Sequence, residues 1–136
     1  MLFRSLYKDT ILSMQAAKSI QKTNGEEGCN RYIISQCNSA LNVMEVFGLF
    51  MLSGWQAEKL SIDIVPLFET IGDLENAPGV MRSLYENKIY RNHLNRRHNT
   101  QTIMLGFSDG TKDGGYLMAN WGIYKAKQEL TKISKQ

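Results

Sequence analysis

Gly106-Phe107-Ser108-Asp109-Gly110-Thr111-Lys112-Asp113-Gly114-Gly115 is the stretch on which the reading of this chain turns. It gathers four glycines, two aspartates, a lysine and two hydroxyls directly behind an apolar run, Thr102-Ile103-Met104-Leu105. Amphipathic sequence follows, and that order predicts a strand, a tight polar turn and a helix. Asp109 then stands where the strand ends and Lys112 where the next helix starts. Glycines let the backbone turn sharply and approach a ligand closely. Two readings are open from these residues alone. A carboxylate and an ammonium held on a strand-to-helix turn suit a divalent cation with a phosphate or carboxylate ligand. A Gly/Asp-rich surface turn leading into a capped helix accounts for the same string without any ligand.

Working outward, the final helix carries Ala119, Ile123, Ala126, Leu130 and Ile133 on one stripe, with Trp121 and Tyr124 expected on its inner side as core. Upstream of the turn, Gln101–Phe107 reads as the third strand, preceded by a polar connection containing Asn92, Asn95, Asn99 and Thr100. The second strand is Ser61–Phe68. Pro66 cannot donate to a ladder, which places it near the strand's end or at an irregularity. Helical sequence begins near Asp73 and is interrupted at Pro78, which starts a fresh turn. The first strand is Tyr32–Ser35, followed by a helix over 40–53 that Asn38 or Ser39 caps and Gly54 ends. Its apolar residues nearly encircle it, which expects burial on several sides by other protein. Residues 3–23 place Phe3, Leu6, Tyr7, Ile11, Met14, Ala17 and Ile20 at helical spacing before an Asn24-Gly25 stop. Three successive strand-then-helix units imply an α/β fold with a parallel sheet. No linker divides the chain, so residues 1–136 read as one unit. Three strands cannot close a barrel, and both outer strands keep open edges.

A length of 136 residues suffices for one core, and 43% hydrophobic with 21% charged residues excludes a disordered chain. The +3 net charge is mild. The basic cluster of Lys88, Arg91, Arg96 and Arg97, with His93 and His98 among it, reads as a solvated helix face and not as a nucleic-acid site. Cys29 and Cys37 are too few for a zinc set and fit reduced thiols, hence a cytoplasmic setting. Met1-Leu2-Phe3-Arg4 does not open a signal peptide. The apolar run over 40–52 falls short of the roughly 20 residues of a membrane span.

The string Gly-Phe-Ser-Asp-x-x-Lys-Asp-x-Gly, with Asn120-Trp121 and Tyr124-Lys125-Ala126 behind it, resembles the motif around the catalytic lysine of phosphoenolpyruvate carboxylases. Val65-Pro66-Leu67-Phe68-Glu69-Thr70, with Asp73-Leu74 and Val80-Met81, resembles that family's other central motif. Tyr32-Ile33-Ile34-Ser35 with Asn42-Val43 resembles its preceding strand and helix. The resemblance runs over residues 31–126. It implies a segment of a TIM-like eight-stranded α/β barrel inside a mostly helical, cytoplasmic enzyme that is a homo-oligomer, a tetramer when complete. The implied reaction takes phosphoenolpyruvate and bicarbonate to oxaloacetate and phosphate, an anaplerotic carbon fixation feeding the tricarboxylic acid cycle.

The resemblance makes Glu69 and Asp109 ligands of Mg²⁺ (or Mn²⁺) and Lys112 the catalytic, bicarbonate-associated lysine. From the residues alone Glu69 reads first as a carboxylate at a helix N-terminus, and Lys112 as a turn lysine paired with Asp109 or Asp113. Ser108 and Thr111 are expected to cap the turn. Phe107 stands where the family usually has tyrosine, and Gly110 where serine is common. The family's Thr-Ala-His-Pro-Thr motif, its upstream phosphate-binding arginine and its His-Gly-Arg-Gly-Gly loop are not in these 136 residues. The isolated chain is therefore expected to be inactive. A non-catalytic metal- or anion-binding module, or an oligomerising one, is the alternative expectation.

Overall fold

The computed structural model describes residues 2–135, with side chains from Tyr7 to Lys135. The expected apolar positions Phe3 and Leu6, and the side chains of Met1-Leu2-Phe3-Arg4, lie outside those described. The elements run α1 (Leu2–Asn24), β1 (Arg31–Ile34), α2 (Ala40–Leu52), β2 (Asp63–Phe68), α3 (Ile71–Glu86), α4 (Lys88–Arg96), β3 (Met104–Leu105) and α5 (Ser108–Ile133), with two short 3₁₀ turns at Glu26–Gly28 and Ala57–Lys59. The fold is α/β, as expected. Its three strands form a parallel sheet in the order β1-β2-β3.

β2 is the centre. Ile64, Val65, Pro66 and Phe68 are buried, which is the pattern of a parallel strand covered on both faces. Pro66 sits inside the strand opposite Ile34, and the second ladder begins only at Leu67, one residue beyond it. β1 alternates exposed and half-buried positions. α2 and α3 lie against β2, and α5 packs along α3. Phe50, fully buried, meets Tyr32 and Trp55 edge to face at 5.2 and 6.0 Å between ring centroids. The Trp55 indole donates to the Met14 carbonyl at 3.0 Å, tying α1 to this core. The Gln21 side chain reaches the carbonyls of Cys29 and Ser61, joining the end of α1 to the approaches of both long strands.

Five expectations are corrected. The third strand spans two residues instead of the seven from Gln101 to Phe107. The Gln101 carboxamide takes the Ile64 carbonyl at 3.0 Å and accepts from the Tyr90 hydroxyl at 2.8 Å, so a side chain stands where a ladder was expected. The polar connection before it contains α4, capped by the Asn87 side chain on the amides of Ile89 and Tyr90. Pro78 does not interrupt α3, whose buried row Leu74, Ala77, Val80, Met81 and Leu84 runs through it. The Gly-rich stretch is helical from Ser108, and the chain breaks from helical geometry at Gly115 (φ 79°, ψ 168°), where glycine carries no steric penalty. Trp121 and Tyr124 are not core: they are 53% and 56% exposed and stack on each other.

α2 meets its expectation in part, with Val43, Phe47 and Phe50 buried while Leu41 and Leu52 face outward. The basic cluster is likewise only partly a solvated face. Arg97 is half-buried and bridges Glu26 (2.6 Å) and Asp63 (2.7 Å), and Arg96 donates to the Ala57 carbonyl. His93 is buried between Phe47 and Tyr90. Burial, aided by Arg96 and Arg97, pushes its pKa from 6.5 down to about 4. The unfolded chain therefore binds this proton first, and stability drains as pH falls from about 6.5 towards 4, by about 3 kcal/mol for such a shift. Urea titrations across that range are expected to show this loss in the wild type and a flatter profile in His93→Phe. Equal acid slopes in the two proteins would refute it.

Among the described residues no helix is long and apolar enough to cross a membrane.

Candidate functional site

The carboxyl ends of three parallel strands lie side by side, and the candidate residues gather there. Main-chain contacts set this edge. The Cys37 amide donates to the Leu67 carbonyl (3.2 Å) and the Gly106 amide to the Phe68 carbonyl (2.7 Å), so the exits of β1 and β3 flank the exit of β2. Glu69 is the first residue beyond β2 and is half-buried. Its Oε2 accepts from the Gln36 amide at 3.0 Å. Gln36 holds φ 51°, an uncommon left-handed conformation for a residue with a side chain. That conformation presents its N–H to the carboxylate.

Two glycines of the Gly-rich stretch lie against Glu69. A Cβ on Gly106 would stand 3.1 Å from the Glu69 Cα, and one on Gly110 3.3 Å from the Glu69 carbonyl oxygen. Side chains there would force the two segments apart, so glycine sets how closely the first turn of α5 approaches the end of β2. That turn carries Asp109 and Lys112, three residues apart on one helical face. Lys112 Nζ donates to Asp109 Oδ1 at 2.9 Å, both side chains being exposed. The hydrogen bond and then the charge of Asp109 raise the Lys112 pKa further above its ordinary value; the amine is an ammonium at neutral pH in either case. Thr111 does not cap an amide. Its hydroxyl donates to the Phe107 carbonyl at 2.8 Å, and no side chain caps the start of α5.

The structure thus joins Asp109 to Lys112 directly and brings their turn against Glu69. Among the described residues no group of three or more His, Cys, Asp or Glu side chains forms a metal cluster. Two carboxylates, each with one oxygen engaged by a neighbour, are a set that suits Mg²⁺, which takes one or two protein carboxylates and fills its remaining places with water and substrate oxygens.

The start of α3 belongs to the same edge. Thr70 and Asp73 cap each other's amides there, and Asp113 Oδ2 accepts from the Ile71 amide at 3.2 Å. Sequence reasoning treated Asp113 only as an alternative partner for Lys112. A signal existed in its place directly before the Gly114-Gly115 pair, but nothing local pointed to Ile71, 42 residues away. Gln36 was missed because its contribution is a main-chain amide.

A narrow groove of about 220 Å³ runs between α3 and α5, lined by Leu74, Pro78, Met118, Trp121 and Lys125 among others. Lys125 lies over the Trp121 ring, 5.3 Å from its centroid.

A family model described as phosphoenolpyruvate carboxylase matches residues 3–136. A phosphoenolpyruvate carboxylase of Azoarcus sp. is 43% identical over 122 residues, covering 88% of this chain and 13% of the relative. One from Nitrosomonas eutropha is 39% identical over 124 residues, with the same two coverages. One from Gloeobacter violaceus is 35% identical over 137 residues, covering 98% of this chain and 15% of the relative. The chain thus spans about an eighth to a seventh of the length of these relatives.

Proposed function

The chain belongs to the phosphoenolpyruvate carboxylase family, and we propose that it carries the metal-binding carboxylates and the lysine of that enzyme's active site. Its three strands are, on this reading, consecutive staves of a TIM-like eight-stranded barrel in a cytoplasmic tetramer. Barrel enzymes place their chemistry at the carboxyl ends of the strands. The observation that carries the proposal is that Glu69, Asp109 and Lys112 stand at that end of adjacent parallel strands, with the Asp109–Lys112 turn seated on Glu69.

The reaction takes phosphoenolpyruvate and bicarbonate to oxaloacetate and phosphate, an anaplerotic step feeding the tricarboxylic acid cycle. Mg²⁺ or Mn²⁺, held by Glu69 and Asp109, would polarise the phosphoryl and enolate oxygens. The chain's own residues do the rest of the work assigned here. Gln36 fixes one oxygen of Glu69 and so orients the other. Gly106 and Gly110 let the lysine-bearing turn approach. Lys112, paired with Asp109, presents a cation to bicarbonate and to the negative charge that builds on carboxyphosphate and the pyruvate enolate. A positioned cation stabilises such charge most where water is excluded. Lys112 is 78% exposed here, so that benefit needs surrounding protein. By itself the 136-residue chain is expected to bind metal weakly and to turn over no substrate.

Mn²⁺ titration of the chain, followed by the electron paramagnetic signal of the free ion, tests the metal assignment. Glu69→Gln combined with Asp109→Asn is expected to weaken binding by about tenfold or more, since changes even in outer-shell partners cost that much. Unchanged affinity in the double variant would overturn the assignment.

A further inference from the structure

Asp113 follows Lys112 directly and is bonded outside its own helix. Its carboxylate accepts from the amide of Ile71, the first residue of α3, where a helix has no internal partners for its amides. Glu69 lies two residues before that amide. One side chain from the lysine-bearing turn therefore closes the helix end that follows the metal-binding carboxylate.

The surrounding packing is tight. A Cβ on Gly114 would stand 3.0 Å from Ile71 Cγ1, and Gly110 lies against the Glu69 carbonyl. Immediately behind, Gly115 breaks the helix. The turn over 108–114 is thus not a rigid extension of the long helix that follows, and local contacts decide where it sits. Asp109 and Lys112 supply little of that placement, because they bond to each other and lie exposed.

We propose, on the carboxylase reading given above, that Asp113 is a positioning residue: bonded to the Ile71 amide, its carboxylate holds the Asp109–Lys112 turn in register over Glu69. Catalysis that depends on a placed cation is sensitive to such a tie, since a displacement of about 1 Å can cost about 100-fold in rate.

The test uses a carboxylase of full family length carrying this segment. Asp113→Ala removes the acceptor. Ile71→Pro removes the donor at the first helical position, where proline is well tolerated and where Thr70 already holds the extended backbone that proline requires of its predecessor. Each folded variant is expected to lose about 10–100-fold in kcat, with a smaller change in KM for phosphoenolpyruvate. The double variant is expected to be little worse than either single one, as for two ends of one bond. Asp113→Asn, whose carboxamide oxygen still accepts, is expected to restore most of kcat, which a purely charge-based role would not allow. Should Asp113→Ala fail to fold, Ile71→Pro and Asp113→Asn decide the matter. Wild-type kcat in folded Asp113→Ala or Ile71→Pro, or an Asp113→Asn variant that has lost the bulk of its kcat, overturns the inference. Lys112→Met separates it from the reading beneath. If that variant is dead while the Asp113 and Ile71 variants are normal, the positioning role alone fails. If Lys112→Met keeps turnover, the carboxylase assignment of the site fails.

Discussion

Lys112→Met, in a carboxylase of full family length carrying this segment, is expected to abolish oxaloacetate formation while leaving the protein folded. Methionine keeps most of the lysine stem and removes only the ammonium. The side chain is 78% exposed and its ion pair to Asp109 is exposed as well, so neither packing nor stability depends on it. The chemistry does. The reaction gathers negative charge on carboxyphosphate and enolate, and losing one preorganised donor from such a site costs about 10²–10³ in kcat. Oxaloacetate is measured by coupled reduction to malate, beside the circular dichroism and melting curve of the same sample. Normal turnover in the folded variant would remove Lys112 from the mechanism.

Phe50→Ala is expected to have the largest effect on the fold. Phe50 is fully buried in α2 and meets Tyr32 of β1 and Trp55 edge to face, while Trp55 in turn holds α1 through the Met14 carbonyl. Truncation leaves a cavity where helix, strand and loop converge. Such Phe→Ala changes cost about 3–5 kcal/mol, against total domain stabilities of about 5–15 kcal/mol. Urea unfolding of the chain followed by tryptophan fluorescence is expected to show a midpoint shifted far towards zero denaturant, or no folded baseline. An unmoved midpoint would mean that this cluster does not hold α2 to the sheet.

Elements with strong periodicity were legible in the sequence. α1, β1, α2 and β2 fall within two residues of where apolar spacing and turn residues place them. What was not legible depends on contacts between distant residues. β3 is short because Gln101, through Ile64 and Tyr90, substitutes side-chain bonds for a ladder. α4 hid behind its polarity. Its packed row is Tyr90, His93 and Leu94, with Arg97 as the C-cap at the same helical spacing, and a hydrophobic pattern does not count His93 or Arg97. Trp121 and Tyr124 were misplaced because they were assigned to the inner side of the final helix. The face that meets α3 is instead built from small residues: a Cβ on Gly122 would lie 3.3 Å from Leu74, and Ala119 and Ala126 are buried. Close helix approach leaves no room for aromatic rings, which turn outward.

At the site, the motif resemblance named Glu69, Asp109 and Lys112, whose roles periodicity alone could not assign. The residues that hold them were invisible to it. Gln36 acts through its backbone and Asp113 through an amide on another helix. The glycines of the motif, expected to form a tight polar turn ahead of the helix, form its first helical turn, whose lack of side chains allows it to rest on Glu69.

The most direct test of the central claim is a segment exchange. The part of the Azoarcus sp. carboxylase that aligns with this chain is replaced by the corresponding residues of this chain, and bicarbonate-dependent oxaloacetate formation from phosphoenolpyruvate is measured. If this segment carries a working set of Glu69, Asp109 and Lys112, the folded chimera forms oxaloacetate and loses that activity on Lys112→Met. A chimera that folds and assembles like its parent yet forms no oxaloacetate would contradict the account.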